Sequence, residues 1–292
     1  MDLKLHFDFP VTIGIASPAG HVAPEVVTSG CAALENAGAK VLVAPHAGGK
    51  WSETSYDFSG NREERLADLS ALWMDPAVEV LLCGRGGFGC VQILPELPWE
   101  RLKTRPLPVV GYSDVTALHF AMLKKSAGVP VSGPMLKQLA HADDFTAEQF
   151  CGALARKPRF IGRLTPLRPG AAEGLPVVGN LAVAASLCGT EYLPDTTGKI
   201  VILEEIGEPS YRVQRCLAQL ELAGFFRGCA GILFGHFTEC SGVEPALAEF
   251  ARAQSVPVWT GVPFGHTDPI ASFAADERLR VGPSGELVSL GR

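Results

Sequence analysis

The sequence predicts an α/β protein: an N-terminal, mostly parallel sheet flanked by helices, followed by a smaller C-terminal α/β domain with a β-rich core. Three observations predict it. Short apolar runs alternate with helical patterns through the first half, as strands do when helices cover both faces of their sheet. A Pro/Gly/Arg-rich stretch, Lys157 to Pro176, breaks that alternation, and few residues of such a stretch can join a core. Behind it apolar runs resume, and the chain closes on a hairpin pattern. The expected division is therefore 1–156, a linker at 157–176, and 177–292.

In order, Val11–Ala16 reads as a strand, and Pro24–Ala37 as a helix closed by Gly38. Lys40–Ala44 is the second strand. Asn61 then caps a helix with Leu66, Leu69 and Leu72 on one face, ended by Pro76. Val78–Cys83 and Pro108–Gly111 are the third and fourth strands, and Asp114–Lys125 a helix. Beyond the linker, Lys199–Leu203, Ala230–Phe234 and Val256–Trp259 are strands. Tyr211–Ala223 is a helix with Gly224 behind it, and residues 279–290 form a hairpin around Pro283-Ser284-Gly285.

Composition excludes several function classes. Of 292 residues, 47% are hydrophobic and 19% charged, which is ordinary for a globular chain and excludes disorder. A net charge of −6 without a basic run argues against a nucleic-acid partner. The start, Met1 to Asp8, carries acids and a histidine where a signal peptide needs a basic end and an apolar core. No uncharged run approaches the roughly 18 residues of a membrane span, so a cytoplasmic location without a membrane partner is expected. The eight cysteines lack Cys-x-x-Cys or zinc spacing and read as reduced core residues. Cys90, beside a glycine loop, is the first candidate for a reactive thiol.

That loop, Gly84-Arg85-Gly86-Gly87-Phe88-Gly89, matches the dinucleotide pattern G-x-G-x-x-G. A nucleotide site also needs a following helix and an acid about 20 residues on. Pro95 cuts the helix short, and no acid lies between Glu100 and Asp114. The alternative is an anion-binding turn whose backbone N–H groups converge on one oxygen, as an oxyanion hole requires.

Gly111-Tyr112-Ser113-Asp114 joins a strand end to a helix. A serine on such a turn exposes its hydroxyl at the sheet edge. Only the first glycine of the G-x-S-x-G elbow is present, and a plain helix cap is an equally good reading of Ser113. A nucleophilic serine needs a base oriented by a carboxylate. His119 lies six residues on, about 600° around the helix and nearly opposite Ser113, so it reads as a packed or surface histidine. Phe234-Gly235-His236 and Phe264-Gly265-His266 each follow a strand-like run onto a loop, and local pattern does not separate them. Glu204-Glu205 ends an apolar strand, whose alternation turns at most one of them toward a given site.

Taken together, these residues resemble the LD-carboxypeptidases, serine peptidases of the S66 type, over nearly the whole chain. The resemblance rests on Ala16-Ser17-Pro18-Ala19-Gly20, Arg62 to Leu69, Arg85 to Gly89, Gly111 to His119 and Gly133-Pro134-Met135. It continues in Gly179-Asn180-Leu181, Leu203 to Glu208, Tyr211-Arg212-Val213 with Arg215, and Phe264-Gly265-His266. It implies a triad of Ser113 on the first domain with Glu204 and His266 on the second. It also implies an oxyanion hole from the backbone of Asp114, Gly86 and Gly87. Arg85 and Asn180 are candidates for contacting substrate, Arg85 for a free carboxylate. The family often has Glu-Asp at Glu204-Glu205, Gly-Gly-Asn-Leu at Val178-Gly179-Asn180-Leu181, and Tyr at Phe88; none of these departures touches the triad.

The reaction so implied is hydrolysis of the bond between an L-centre and a terminal D-amino acid. The usual substrate is a small peptide, a cytoplasmic murein tetrapeptide that yields D-alanine, with no metal or cofactor. A homodimer is a candidate assembly. Two other readings stay open: a related hydrolase of peptidyl- or aminoacyl-nucleotide antibiotics, and a noncatalytic nucleotide-binding α/β protein.

Overall fold

The computed structural model describes residues 5–292, so Met1 to Lys4 of the start discussed above lie outside the described residues. In chain order the first strands are β1 (Thr12–Ala16), β2 (Lys40–Val43), β3 (Val80–Cys83), β4 (Pro108–Gly111) and β5 (Val129–Ser132). There follow β6 (Arg159–Arg163), β7 (Thr165–Arg168), β8 (Ala172–Gly174), β9 (Pro176–Asn180) and β10 (Ile200–Ile206). The last are β11 (Gly231–Thr238), β12 (Val258–Thr260), β13 (Phe273–Ala274), β14 (Leu279–Val281) and β15 (Glu286–Ser289).

They form three sheets, ordered β13-β5-β4-β3-β1-β2, β7-β12-β11-β10-β9 and β6-β15-β14-β8. In the first, all neighbours are parallel except the edge pair β13–β5. In the second, β9 to β12 run parallel and β7 closes the edge antiparallel. The third is antiparallel throughout. All of β3 is buried, as is β10 up to Glu205, so both faces of each parallel sheet carry apolar side chains. This is the α/β architecture expected.

Local chemistry explains the helices that frame the site. Asn61 Oδ1 accepts from Glu64 N–H (2.9 Å) while Glu64 returns a carboxylate oxygen to Asn61 N–H (2.8 Å), a reciprocal cap that starts the helix Arg62–Met74. Pro24 opens the helix Pro24–Asn36, and Gly38 takes φ 95° just behind it. The helix Val115–Lys125 is buried from Val115 to Met122 between the two parallel sheets. No helix among the described residues is long and apolar enough to cross a membrane.

The stretch expected as a linker, 157–176, differs from that expectation. It is not irregular: β6, β7 and β8 lie in it and start two different sheets. Its prolines and glycines suit edge strands and the turns between them. In return β13, from the last third of the chain, pairs with β5 of the first sheet, Phe273 opposite Ser132. Sequence could not show this, because a two-residue strand has no periodicity.

Candidate active site

In a parallel sheet, loops at the carboxyl ends of the strands gather at one edge. The turn after β3 carries Gly84–Gly89, and the turn after β4 carries Ser113. The carboxyl ends of β9 and β10 bring Asn180, Glu204 and Glu205, and the loop after β12 brings His266. The helix Val115–Lys125 joins the two edges. Thr116 Oγ1 accepts from Asn180 N–H at 2.8 Å, and Gly179, with no side chain, lets β9 lie against Thr116 and Phe120.

Ser113 has φ 61°, a left-handed conformation uncommon outside glycine that turns the chain sharply from β4 into the helix. Gly111 precedes it because a Cβ there would sit 2.9 Å from Val115 Cγ1. The capping alternative for Ser113 does not fit: Asp114 occupies the N-cap position, and no side chain caps that helix. Instead Ser113 Oγ lies 3.1 Å from His266 Nε2, and His266 Nδ1 lies 2.9 Å from Glu204 Oε2. An ionised carboxylate only accepts, so Nδ1 carries the imidazole proton and Nε2 is left to accept from the serine hydroxyl. The ring is steered further by Tyr112, packed edge-on at 5.0 Å, whose hydroxyl accepts from Gln138 Nε2 at 2.8 Å.

Glu204 is fully buried, and its other oxygen accepts from Asn180 Nδ2 at 3.2 Å. The same amide donates to Glu205 at 2.8 Å, which also accepts from Ala182 and Ile206 N–H. Burial raises the Glu205 carboxyl, and these donors partly offset the rise. Asn180 Oδ1 caps the next helix by accepting from Val183 N–H. The substrate-contact expectation for Asn180 is thereby corrected: the residue is 5% exposed and braces both acids from behind.

His236, the competing base, lies within β11 rather than on a loop, and it is exposed. Its N–H donates to Phe264 O at 2.8 Å, so the two Phe-Gly-His segments lie side by side while only His266 reaches Ser113. His119 is buried, with Nε2 at 2.9 Å from Val109 O; burial lowers it to about 4.

The glycine loop packs on the serine turn. A Cβ on Gly86 would stand 2.9 Å from Ser113 Cβ and 3.3 Å from Asp114 N. The Asp114 carboxylate accepts from Cys90 N–H at 2.8 Å, tying loop and turn together, and burial raises that carboxyl. Cys90 is fully buried, and burial raises its thiol well above the usual range. The reactive-thiol expectation is corrected accordingly, since the thiolate is the nucleophilic form. The helix after the loop is only Cys90–Ile93, too short for a dinucleotide unit.

Sequence reasoning missed Arg65 as a brace. It is 2% exposed, donates to Pro18 O, Gly60 O, Gly89 O and Gln92 Oε1, and so clamps the far end of the loop. A buried arginine inside a helical pattern looks like any solvated one, so no local signal marks it. Above the serine opens a cleft of about 520 Å³, walled by the glycine loop, Ser113, Tyr112 and His266. Arg85 and Lys137 line it with positive charge, and Asp268 adds one acid. Arg85 Nη1 also donates to His21 O at 3.0 Å. Among the described residues, no group of three His, Cys, Asp or Glu side chains could hold a metal ion.

The sequence model of the LD-carboxypeptidase N-terminal domain matches residues 13–133, and that of the C-terminal domain matches residues 173–281. The chain is 32% identical to a probable murein peptide carboxypeptidase of Bacillus subtilis over 88% of its length and 84% of that protein's. It is 30% identical to a murein tetrapeptide carboxypeptidase of Pseudomonas aeruginosa, over 87% of each chain. The crystal structure of a muramoyltetrapeptide carboxypeptidase from Oxalobacter formigenes superposes with a TM-score of 0.84 at 27% identity, covering 96% of this chain and 98% of that one.

Proposed function

We propose, because the chain belongs to the LD-carboxypeptidase family, that it is a serine carboxypeptidase releasing a terminal D-alanine from cytoplasmic murein tetrapeptides in cell-wall recycling. The observation that carries the chemistry is the continuous path Ser113–His266–Glu204, at 3.1 and 2.9 Å, opening into the cleft. The nucleophile comes from the first domain, 1–156, and the base and acid from the second, 177–292.

In this reading the substrate's scissile carbonyl sits between Ser113 and the glycine turn. Ser113 Oγ attacks the carbonyl carbon as its proton passes to His266 Nε2, and Glu204 holds the tautomer and stabilises the imidazolium. The oxyanion accepts from the N–H groups of Asp114, Gly86 and Gly87. Collapse expels the D-alanine amine, which takes the proton from His266. Water, deprotonated by the same imidazole, then hydrolyses the acyl ester and restores the hydroxyl. Arg85 and Lys137 supply the positive charge that a free terminal carboxylate needs.

The test is a side-by-side time course on tripeptide, tetrapeptide and pentapeptide, and on the tetrapeptide with an L-alanine terminus. Inverting the terminal centre exchanges methyl and hydrogen, and displacing a scissile carbonyl by about 1 Å costs on the order of a hundredfold. The D-terminated tetrapeptide should be cleaved at least about a hundred times faster in kcat/KM, and the pentapeptide poorly. Equal rates on the D and L isomers would remove the LD-carboxypeptidase reading. Turnover of an aminoacyl-nucleotide instead would redirect the substrate to the antibiotic class.

A further inference from the structure

Several bonds hold the glycine turn from behind, among them Gly84 N–H to Ala16 O at 2.8 Å and Arg85 Nη1 to His21 O at 3.0 Å. Gly20 N–H donates to Gly86 O at 3.1 Å, Arg65 to Gly89 O at 3.0 Å, and Cys90 N–H to Asp114 at 2.8 Å. One more comes from an exposed hairpin. Trp51 and Phe58 exchange N–H to carbonyl bonds of 2.9 and 3.0 Å, and the residues between them are mostly exposed. From this hairpin Tyr56 turns inward, and its hydroxyl oxygen accepts from Phe88 N–H at 3.1 Å. The hydroxyl overlaps the place that a Cβ on Gly87 would take and stands 2.6 Å from that of Gly20. Two glycines thus make room for one phenol. The ring is fixed edge-on against Phe58 at 4.9 Å, and Phe58 lies under the Arg65 guanidinium at 4.6 Å.

We infer that Tyr56 is a positioning residue for the oxyanion turn, its hydroxyl holding Gly86-Gly87-Phe88 in the conformation that presents N–H groups to the cleft. The inference rests on the proposed serine chemistry. Gly87, at φ 108°, is the permissive point of the turn. With Phe88 N–H unpaired, the turn samples other conformations, and only the competent fraction stabilises the transition state. Tyr56 lies behind the turn, not among the groups walling the cleft. It therefore acts on the reaction only through the turn, and chiefly on the transition state, where the oxyanion that needs those N–H groups develops.

Tyr56→Phe removes the hydroxyl and nothing else. One modest hydrogen bond corresponds to about a tenfold loss, so kcat should fall about tenfold with KM unchanged. A second readout is independent of the peptide: labelling of Ser113 by a fluorophosphonate. There Ser113 Oγ bonds to phosphorus, fluoride leaves, the proton passes to His266, and the phosphoryl oxygen occupies the same N–H groups. The variant should label about ten times more slowly, with its melting temperature within a few degrees of wild type. Labelling at the wild-type rate, or a change confined to KM, overturns the inference. So does slower labelling that merely follows a melting temperature collapsed to the assay temperature. Wild-type protein that labels but leaves murein peptides intact would fault the substrate reading alone. Wild-type protein that does not label overturns the serine chemistry and this inference with it.

Discussion

His266 and His236 share the neighbours Phe-Gly, yet their surroundings differ in every respect that matters to a base. His266 is one-fifth exposed and lies between a buried carboxylate and a hydroxyl, whereas His236 is exposed on β11. An imidazole without an orienting carboxylate has no enforced tautomer and no partner for the imidazolium. His266→Ala should therefore lower kcat by at least about 10⁴-fold, while His236→Ala should change it less than about threefold. Steady-state rates on the D-terminated tetrapeptide check this ranking, and the reverse order would move the base to β11. Asn180 teaches a related lesson: a residue in a conspicuous motif serves the site by bracing Glu204, not by touching substrate.

At the level of elements, the site depends on two turns in van der Waals contact. The turn after β3 can approach Ser113 only because Gly86 has no side chain. Gly86 is not at a positive φ, so alanine there adds bulk without backbone strain. That bulk falls 2.9 Å from Ser113 Cβ, closer than real Cβ contacts come, and a tight 3.0 Å from its Oγ. Either the serine or the turn must shift by several tenths of an ångström. Gly86→Ala should cost about a hundredfold in kcat, with a melting temperature close to wild type because the site opens into the cleft. Near-wild-type turnover would show that the glycine serves packing alone. Glycine spacing announced a special turn and pointed to an anion-binding one; that it packs on Ser113 was not legible, since the serine lies on a separate turn.

For the whole molecule, the helix Val115–Lys125 is the shared core of both parallel sheets, and His119 is a polar group inside it. Burial lowers His119 to about 4, against about 6.5 in an unfolded chain. Above pH 6.5 both states are neutral, and this stability is fully present. As pH falls toward 4, the unfolded chain binds a proton that the folded chain refuses, so stability is lost. The loss should reach on the order of 3 kcal/mol. His119→Gln keeps an amide donor for Val109 O but cannot titrate. Urea denaturation of both proteins between pH 7 and pH 4 should show the wild type losing its advantage over the variant by that amount. The raised carboxyls of Asp114 and Glu205 act in the opposite direction, but they are common to both proteins and cancel in the difference. A pH-independent difference would mean that His119 is not shielded from protonation.

The sequence by itself determined the α/β class, the main strands and helices, the special nature of the 84–89 turn and the serine at a strand-to-helix junction. Each is a local property, written in periodicity, capping residues or the backbone demands of glycine within a few residues. Choosing between His236 and His266, and between Glu204 and Glu205, was beyond local pattern; only the resemblance separated them there. The tertiary structure decided distances, because His266 and Ser113 are 153 positions apart and nothing local encodes their meeting. It also decided that Arg65, Tyr56 and Asn180 brace the site, and that β13 ties the second half to the sheet of the first. Those outcomes depend on which backbones can approach, and that is settled by packing between elements far apart in the chain.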